Sequence, residues 1–320
     1  MTSTEPTHAS STAALRAAVH GEVAKAVVGQ GALVDAALVG LLAGGHVLVD
    51  GPPGLAKSLL ATAFVRACGL EGRRVQFTPD LLPSDLTGTL SLRGSELVFR
   101  PGPVFTNLLV ADELNRTPPK TQAALLEAMQ ERQVTVDGVS HPLPEPFLVL
   151  ATQNPIEFEG TYPLPESQLD RFLLSVSVGY PSGPDERAML DLRHRGVAPS
   201  TIDDVRPVAD RAALARATDD ADAVTMAAEV GDYLLAVVRR TRELPSVALG
   251  ASPRAAVHLA AAARATASIS GRSFVTPDDV AGLAVPVLAH RLVLTPEAEL
   301  DRFTSADAIH TVLRQVEVPR

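Results

Sequence analysis

Between His46 and Cys68 the chain reads as an apolar run, a glycine-bounded loop and a helix, and few folds accept that order. His46-Val47-Leu48-Val49-Asp50 is a short apolar stretch closed by Gly51-Pro52-Pro53-Gly54, and a helix-compatible segment follows over residues 57–68. A strand that is apolar from end to end and feeds straight into a helix suits a parallel sheet covered on both faces. Further short strand candidates at residues 74–77, 107–112, 147–152 and 172–178 alternate with helical segments such as 120–132. The expected fold is therefore α/β, with a parallel five-stranded sheet sandwiched by helices. Two stretches interrupt the alternation as β-hairpins: residues 89–99, turning near Arg93-Gly94, and residues 133–143, turning at Asp137-Gly138.

Tyr180-Pro181-Ser182-Gly183-Pro184 marks where the alternation stops, and the chain beyond it reads as helical. Val230, Tyr233, Leu234, Val237 and Val238 have the spacing of one apolar helix face. Ser252-Pro253 and Thr276-Pro277-Asp278-Asp279 have the form of helix starts. The organisation expected is a disordered tail over residues 1–12, an α/β core over 13–181 and an all-α lid domain over 182–320. A length of 320 residues, with 46% hydrophobic and 20% charged, suits two globular cores. The longest nearly apolar run, residues 37–49, falls short of the roughly 20 residues that cross a bilayer, and the Ser/Thr-rich start lacks the form of a secretion signal. A cytoplasmic protein with no membrane insertion is expected. One cysteine, Cys68, excludes an intramolecular disulfide framework, and a net charge of −9 without a Lys/Arg run argues against nucleic acid as partner.

Gly51, Pro52, Pro53, Gly54, Leu55, Ala56, Lys57 and Ser58 match the pattern G-x-x-x-x-G-K-[ST] except at the sixth position, where Ala56 replaces glycine. Alanine fits there only where the backbone is outside the left-handed region and no phosphate needs the space of its Cβ. In this phosphate-binding loop, which runs into Leu59, Lys57 reaches the β- and γ-phosphates of ATP and Ser58 ligates Mg²⁺. The apolar run Leu108-Leu109-Val110-Ala111 ends in Asp112-Glu113, which places two carboxylates at the sheet edge where open α/β sheets bind ligands. Asp112 is the candidate second magnesium ligand and Glu113 the group that polarises the attacking water. Asn154, at the end of a neighbouring strand, is placed to orient that water. Arg254 opens a helix, where a cation opposes the helix dipole unless an anion faces it. Arg171 is a candidate arginine finger for a neighbouring subunit, with a salt bridge to Asp170 or Glu166 as its plain structural alternative.

Together these residues resemble the AAA+ superfamily, and the stretches between them resemble its MoxR family. Val28-Gly29-Gln30, Phe77-Thr78-Pro79-Asp80-Leu81-Leu82-Pro83-Ser84-Asp85, Pro101-Gly102-Pro103-Val104-Phe105, Ala111-Asp112-Glu113-Leu114-Asn115-Arg116 and Gly160-Thr161-Tyr162-Pro163-Leu164-Pro165-Glu166 carry the likeness, which spans residues 27–290. The resemblance implies that Val28 and Gly29 lie near the adenine, that Asn154 is sensor 1, Arg171 the finger and Arg254 sensor 2. It also implies a hexameric ring whose ATP site is shared between subunits, client proteins that the ring remodels or matures, and a von Willebrand factor A domain partner. Three other readings compete: the ATPase subunit of a metal chelatase, a nucleotide-gated scaffold with slow hydrolysis for which Ala56 is the hint, and a DNA-acting motor, which the acidic charge disfavours.

Overall fold

The computed structural model describes residues 8–52, 54–153, 160–192, 194–195, 198–199 and 201–319. They form two compact units: Ala18–Leu164 with Val176–Arg211, and Pro165–Ser175 with Ala212–Arg320 and the start of the chain through Ala17.

The first unit is built on β1 (Val47–Asp50), β2 (Gly72–Gln76), β3 (Gly88–Arg93), β4 (Glu96–Pro101), β5 (Leu108–Asp112), β6 (Gln133–Val136), β7 (Val139–Pro142) and β8 (Leu148–Gln153), with β9 (Leu174–Ser177) completing the main sheet. That sheet has five strands in the order β2-β5-β8-β1-β9. β1, β2, β5 and β8 pair in parallel, in a register that sets Gln76 opposite Asp112 and Asp50 opposite Gln153. Their carboxyl ends therefore share one edge. β5 is buried at every position and β8 at all but its last, as strands covered on both faces must be. Helices α1 (His8–Val23), α2 (Gly31–Leu42), α3 (Lys57–Ala67), α4 (Pro83–Thr87) and α5 (Pro119–Glu131) lie between or before the strands. Phe64 of α3 and Phe77, just past β2, are fully buried, each stabilising the core by about 1.5–3 kcal/mol.

A buried histidine fixes the other edge of the sheet. His46 accepts a hydrogen bond from the Val149 N–H at Nδ1 (3.0 Å) and donates from Nε2 to the Met129 carbonyl (3.1 Å), tying β1, β8 and the end of α5. Both hairpins form as antiparallel pairs, β3 with β4 and β6 with β7. The second turns through Asp137 and Gly138, both at positive φ, as an Asp-Gly hairpin does.

The second unit is mostly helical. Helices α6 (Glu166–Leu169), α7 (Gly183–Asp191, which belongs to the first unit), α8 (Arg211–Asp222), α9 (Ala228–Arg240), α10 (Pro253–Ile269), α11 (Pro277–Leu288), α12 (Pro296–Leu300) and α13 (Ser305–Gln315) follow one another, with one small ribbon pairing Val247–Leu249 with Val293–Leu294. The five apolar residues expected on one face of α9 are all buried. Ser252 caps α10, and Thr276 with Asp279 forms a capping box on α11. Residues 1–7 of the expected tail lie outside the described residues. His8–Thr12 instead open α1, where the Ser11 and Thr12 hydroxyls donate to Asp220 Oδ2 at 2.9 and 3.2 Å.

Candidate nucleotide site

The loop after β1 closes on itself. Gly51 is required by close approach, because a Cβ there would stand 2.5 Å from the Val178 carbonyl oxygen. Six residues on, the Lys57 Nζ donates to the Gly51 carbonyl at 2.7 Å. Burial holds the Lys57 ammonium below the usual lysine range, while Asp112, Asp50 and Glu113 act in the opposite direction. Ala56 caps α3 at φ 55 and ψ 22, in the left-handed region. The condition that would have let alanine replace glycine without penalty is therefore not met, since an L-residue adopts this conformation at a cost of roughly 1–2 kcal/mol. The Ala56 carbonyl accepts the first bond of α3, from the Leu60 N–H at 2.8 Å. Pro53 falls outside the described residues.

Asp112 and Glu113 reach the same place from the end of β5. Asp112 is nearly buried, and its Oδ2 accepts from the Ser58 hydroxyl at 2.7 Å and from Arg74 Nε at 2.5 Å. Glu113 stands in the left-handed region at φ 57 and ψ 48, a strained geometry of the kind that collects at working sites. Its carboxylate accepts from the Gln76 amide at 2.6 Å and lies 3.1 Å from Arg116 Nε. Thr152 on β8 joins the two acids: its hydroxyl donates to Asp112 Oδ1 (3.3 Å) and accepts from the Glu113 N–H (3.0 Å). Lys57, Ser58, Arg74, Gln76, Asp112 and Glu113 line one cavity of about 420 Å³. A second of about 470 Å³ lies across Gly54, Leu55, Ala56 and Leu59, and Val27, Val28, Tyr180 and Met189 give it an apolar wall. Gly29 adjoins it, packed against Asp185. One polar and one apolar chamber around a single loop suit a polyphosphate joined to a flat base. The hydroxyl of Ser58 and the carboxylate of Asp112, already converging within hydrogen-bond distance, form an oxygen donor set that fits Mg²⁺.

The predicted arginines belong to the second unit, and Asn154 lies outside the described residues. Arg171 follows α6 and is partly buried, and Arg254 sits exposed in the first turn of α10. Among the described residues neither guanidinium makes an ion pair or side-chain hydrogen bond. The plain alternative of an Arg171–Asp170 bridge does not form, because Asp170 Oδ1 is taken by Arg291 Nε at 2.9 Å.

The sequence profile of the ATPase family associated with various cellular activities (AAA) matches residues 46–174, and that of the AAA lid domain matches residues 239–312. Chaperone MoxR1 of Mycobacterium tuberculosis is 45% identical over 93% of this chain and 81% of its own length. The chain belongs to the MoxR family of AAA+ ATPases. The uncharacterized protein YeaC of Bacillus subtilis is 43% identical over 92% of both chains. The crystal structure of a Cytophaga hutchinsonii protein assigned as an ATPase superposes with a TM-score of 0.89 at 38% identity, covering 97% of this chain and 98% of that one. Arg74, Gln76 and Thr152 are the residues of this MoxR-family site that reading the sequence missed. The sequence shows only that Arg74 and Gln76 are two apart on one strand and so leave β2 on the same face; that this face meets Asp112 follows from the register.

Proposed function

We propose that this MoxR-family ATPase works as a ring, a hexamer with each ATP site shared between subunits, that spends hydrolysis on remodelling, assembling or maturing client proteins. The observation that carries the reading is the convergence of Lys57 and Ser58 from one stretch with Asp112 and Glu113 from another, 54 residues on, around one 420 Å³ cavity. In this reading Lys57 binds the β- and γ-phosphates, Gly51, Pro52, Pro53, Gly54, Leu55, Ala56 and Leu59 wrap the nucleotide, and Val28 and Gly29 border the adenine. Ser58 and Asp112 hold Mg²⁺, which when bound neutralises charge on the phosphate oxygens. Glu113 takes the proton from the attacking water, Asn154 orients that water, Arg254 answers the γ-phosphate, and Arg171 serves the neighbouring subunit's site. The name of the Mycobacterium tuberculosis relative, Chaperone MoxR1, supports client proteins as the target. The family resemblance supports a von Willebrand factor A domain partner.

Glu113→Gln keeps the shape and removes the base. Phosphate release should fall by roughly 10²–10⁴-fold, while a fluorescent ATP analogue still binds. Release at the unmodified rate would refute Glu113 as the base. The same variant held in ATP is the bait for a pull-down of clients, because it should stay in the ATP-bound assembly.

A further inference from the structure

The second unit holds a buried cation that the nucleotide chemistry does not use. Arg291 follows α11, and its side chain is only 2% exposed. Its Nε donates to Asp170 Oδ1 at 2.9 Å, and its Nη2 donates to the Phe172 carbonyl at 2.5 Å and to His258 Nδ1 at 2.6 Å. Nη1 donates to the Val287 carbonyl. The same short segment is gripped from two further points: His290 Nε2 donates to the Phe172 carbonyl at 3.3 Å, and the Ser252 hydroxyl reaches both Asp170 carboxylate oxygens at 3.4 Å.

A buried ion pair is a poor device for stability alone, since apolar side chains of similar volume often serve as well. What it supplies is position, because a guanidinium has five donors in a rigid fork. Here the fork takes hold of residues 170 and 172 and leaves Arg171 between them. Ser252 caps α10 two residues before Arg254, and His258 lies one turn beyond it, so the network that holds Asp170 and Phe172, on either side of Arg171, also contains both flanks of Arg254. We propose that Arg291 is a positioning residue for Arg171: it sets the height and direction at which Arg171 leaves the chain, and fixes it in one frame with Arg254. The inference rests on the reading of Arg171 as a finger.

The test compares Arg171→Ala, the charge-free pair Asp170→Asn/Arg291→Met and the triple variant, all in the full chain. The pair variant leaves no lone buried charge. Its melting temperature should stay near that of the unmodified protein, and its affinity for a fluorescent ATP analogue should not change. Its kcat should fall about 100-fold, the scale of a catalytic group displaced by about 1 Å. Adding Arg171→Ala should bring the triple variant no lower than Arg171→Ala alone. Arg291→Lys is the second variant, used if the pair does not fold: it keeps the charge and loses the fork, so it should melt normally and remain slow. Full kcat in the pair variant or in Arg291→Lys would overturn the inference, and so would losses that multiply in the triple variant. If Arg171→Ala itself left kcat unchanged, the finger reading would fall and the inference with it. A slow Arg171→Ala beside a fast pair variant would sink the inference alone.

Discussion

Two clusters of charge dominate this molecule, and they are built on opposite plans. Around the phosphate-binding loop an ammonium and two carboxylates face an open cavity, each held by polar partners beside it: Lys57 by the Gly51 carbonyl, Asp112 by Ser58, Thr152 and Arg74, Glu113 by Gln76 and Arg116. Around Arg291 a guanidinium is enclosed, and its donors go to a carboxylate, main-chain carbonyls and a neutral imidazole. The first arrangement keeps its charges available to a ligand. The second consumes its charge internally and holds a backbone still. A charged cluster should therefore be read by whether its charges line an open cavity or its cation is closed off from solvent.

Breaking the enclosed cluster should produce the largest effect on stability. Arg291→Ala leaves Asp170 without its cation, and because that carboxylate is 21% exposed the loss should fall below that of a fully buried pair, about 3–5 kcal/mol, and near that of a hydrogen bond to a charged group, about 1.5–3 kcal/mol. Denaturant unfolding should show that loss, whereas Asp170→Asn/Arg291→Met should recover most of it. If Arg291→Ala unfolds at the unmodified midpoint, the cluster is not a closed network.

Acid should open the same cluster without mutation. Burial, reinforced by Arg291 and Arg254 and opposed by Asp170 and the Phe172 carbonyl, brings the His258 imidazole down from 6.5 to about 4. Burial next to Arg291 likewise brings His290 to about 3. In both, the folded state prefers the neutral ring, so the unfolded chain takes up protons first as pH falls. The stabilisation is complete above about pH 6.5 and drains away as pH drops toward 4, on the order of 3 kcal/mol from His258 in full. Urea unfolding at pH 7.5, 6 and 5 should show the decline, and His258→Gln, whose amide oxygen can still accept from Arg291, should make it shallower. An equally steep decline in that variant would assign the acid sensitivity to other groups.

The open cluster should respond to a smaller change in catalysis rather than in folding. Thr152→Val preserves shape but removes the hydroxyl that joins the two acids, leaving the Glu113 N–H without its acceptor. Left unsatisfied, such a group costs about 1–3 kcal/mol, and Glu113 should relax from its left-handed backbone. Turnover should fall by about 5–150-fold, the kinetic equivalent of that range, with nucleotide affinity retained. Affinity lost in proportion to turnover would mean that Thr152 acts on the phosphates instead.

The same contrast explains what could be read before the structure. The loop at residues 51–58 is a run of consecutive residues, and Asp112-Glu113 ends a strand that is apolar throughout, so periodicity and one motif located both. The five strands, both hairpins and the caps at Ser252 and Thr276 were legible for the same local reason. Thr152 and Gln76 become functional only through register between strands, which no single stretch displays. The Arg291 network joins residues 170, 172, 258 and 291, and in sequence His258 and His290 are scattered histidines with no spacing to connect them. An arginine at a helix end likewise reads as a surface cation. Its burial follows from packing alone.

Ala56 is where local reasoning found the question and the backbone answered it. With φ at 55, alanine occupies a conformation that glycine enters freely. Ala56→Gly removes strain of about 1–2 kcal/mol but adds freedom to the unfolded loop, which returns roughly 0.5–1 kcal/mol of that gain. The net effect on unfolding should be a stabilisation of about 1 kcal/mol or less. The effect on ATP should be a modestly tighter fit, since the loop no longer has to hold an alanine Cβ beside both cavities. Calorimetric unfolding and nucleotide titration of the variant check both. A destabilised Ala56→Gly protein would show that the loop depends on the stiffness of alanine more than it suffers from the strain. The sixth position of the motif would then be a choice made for rigidity.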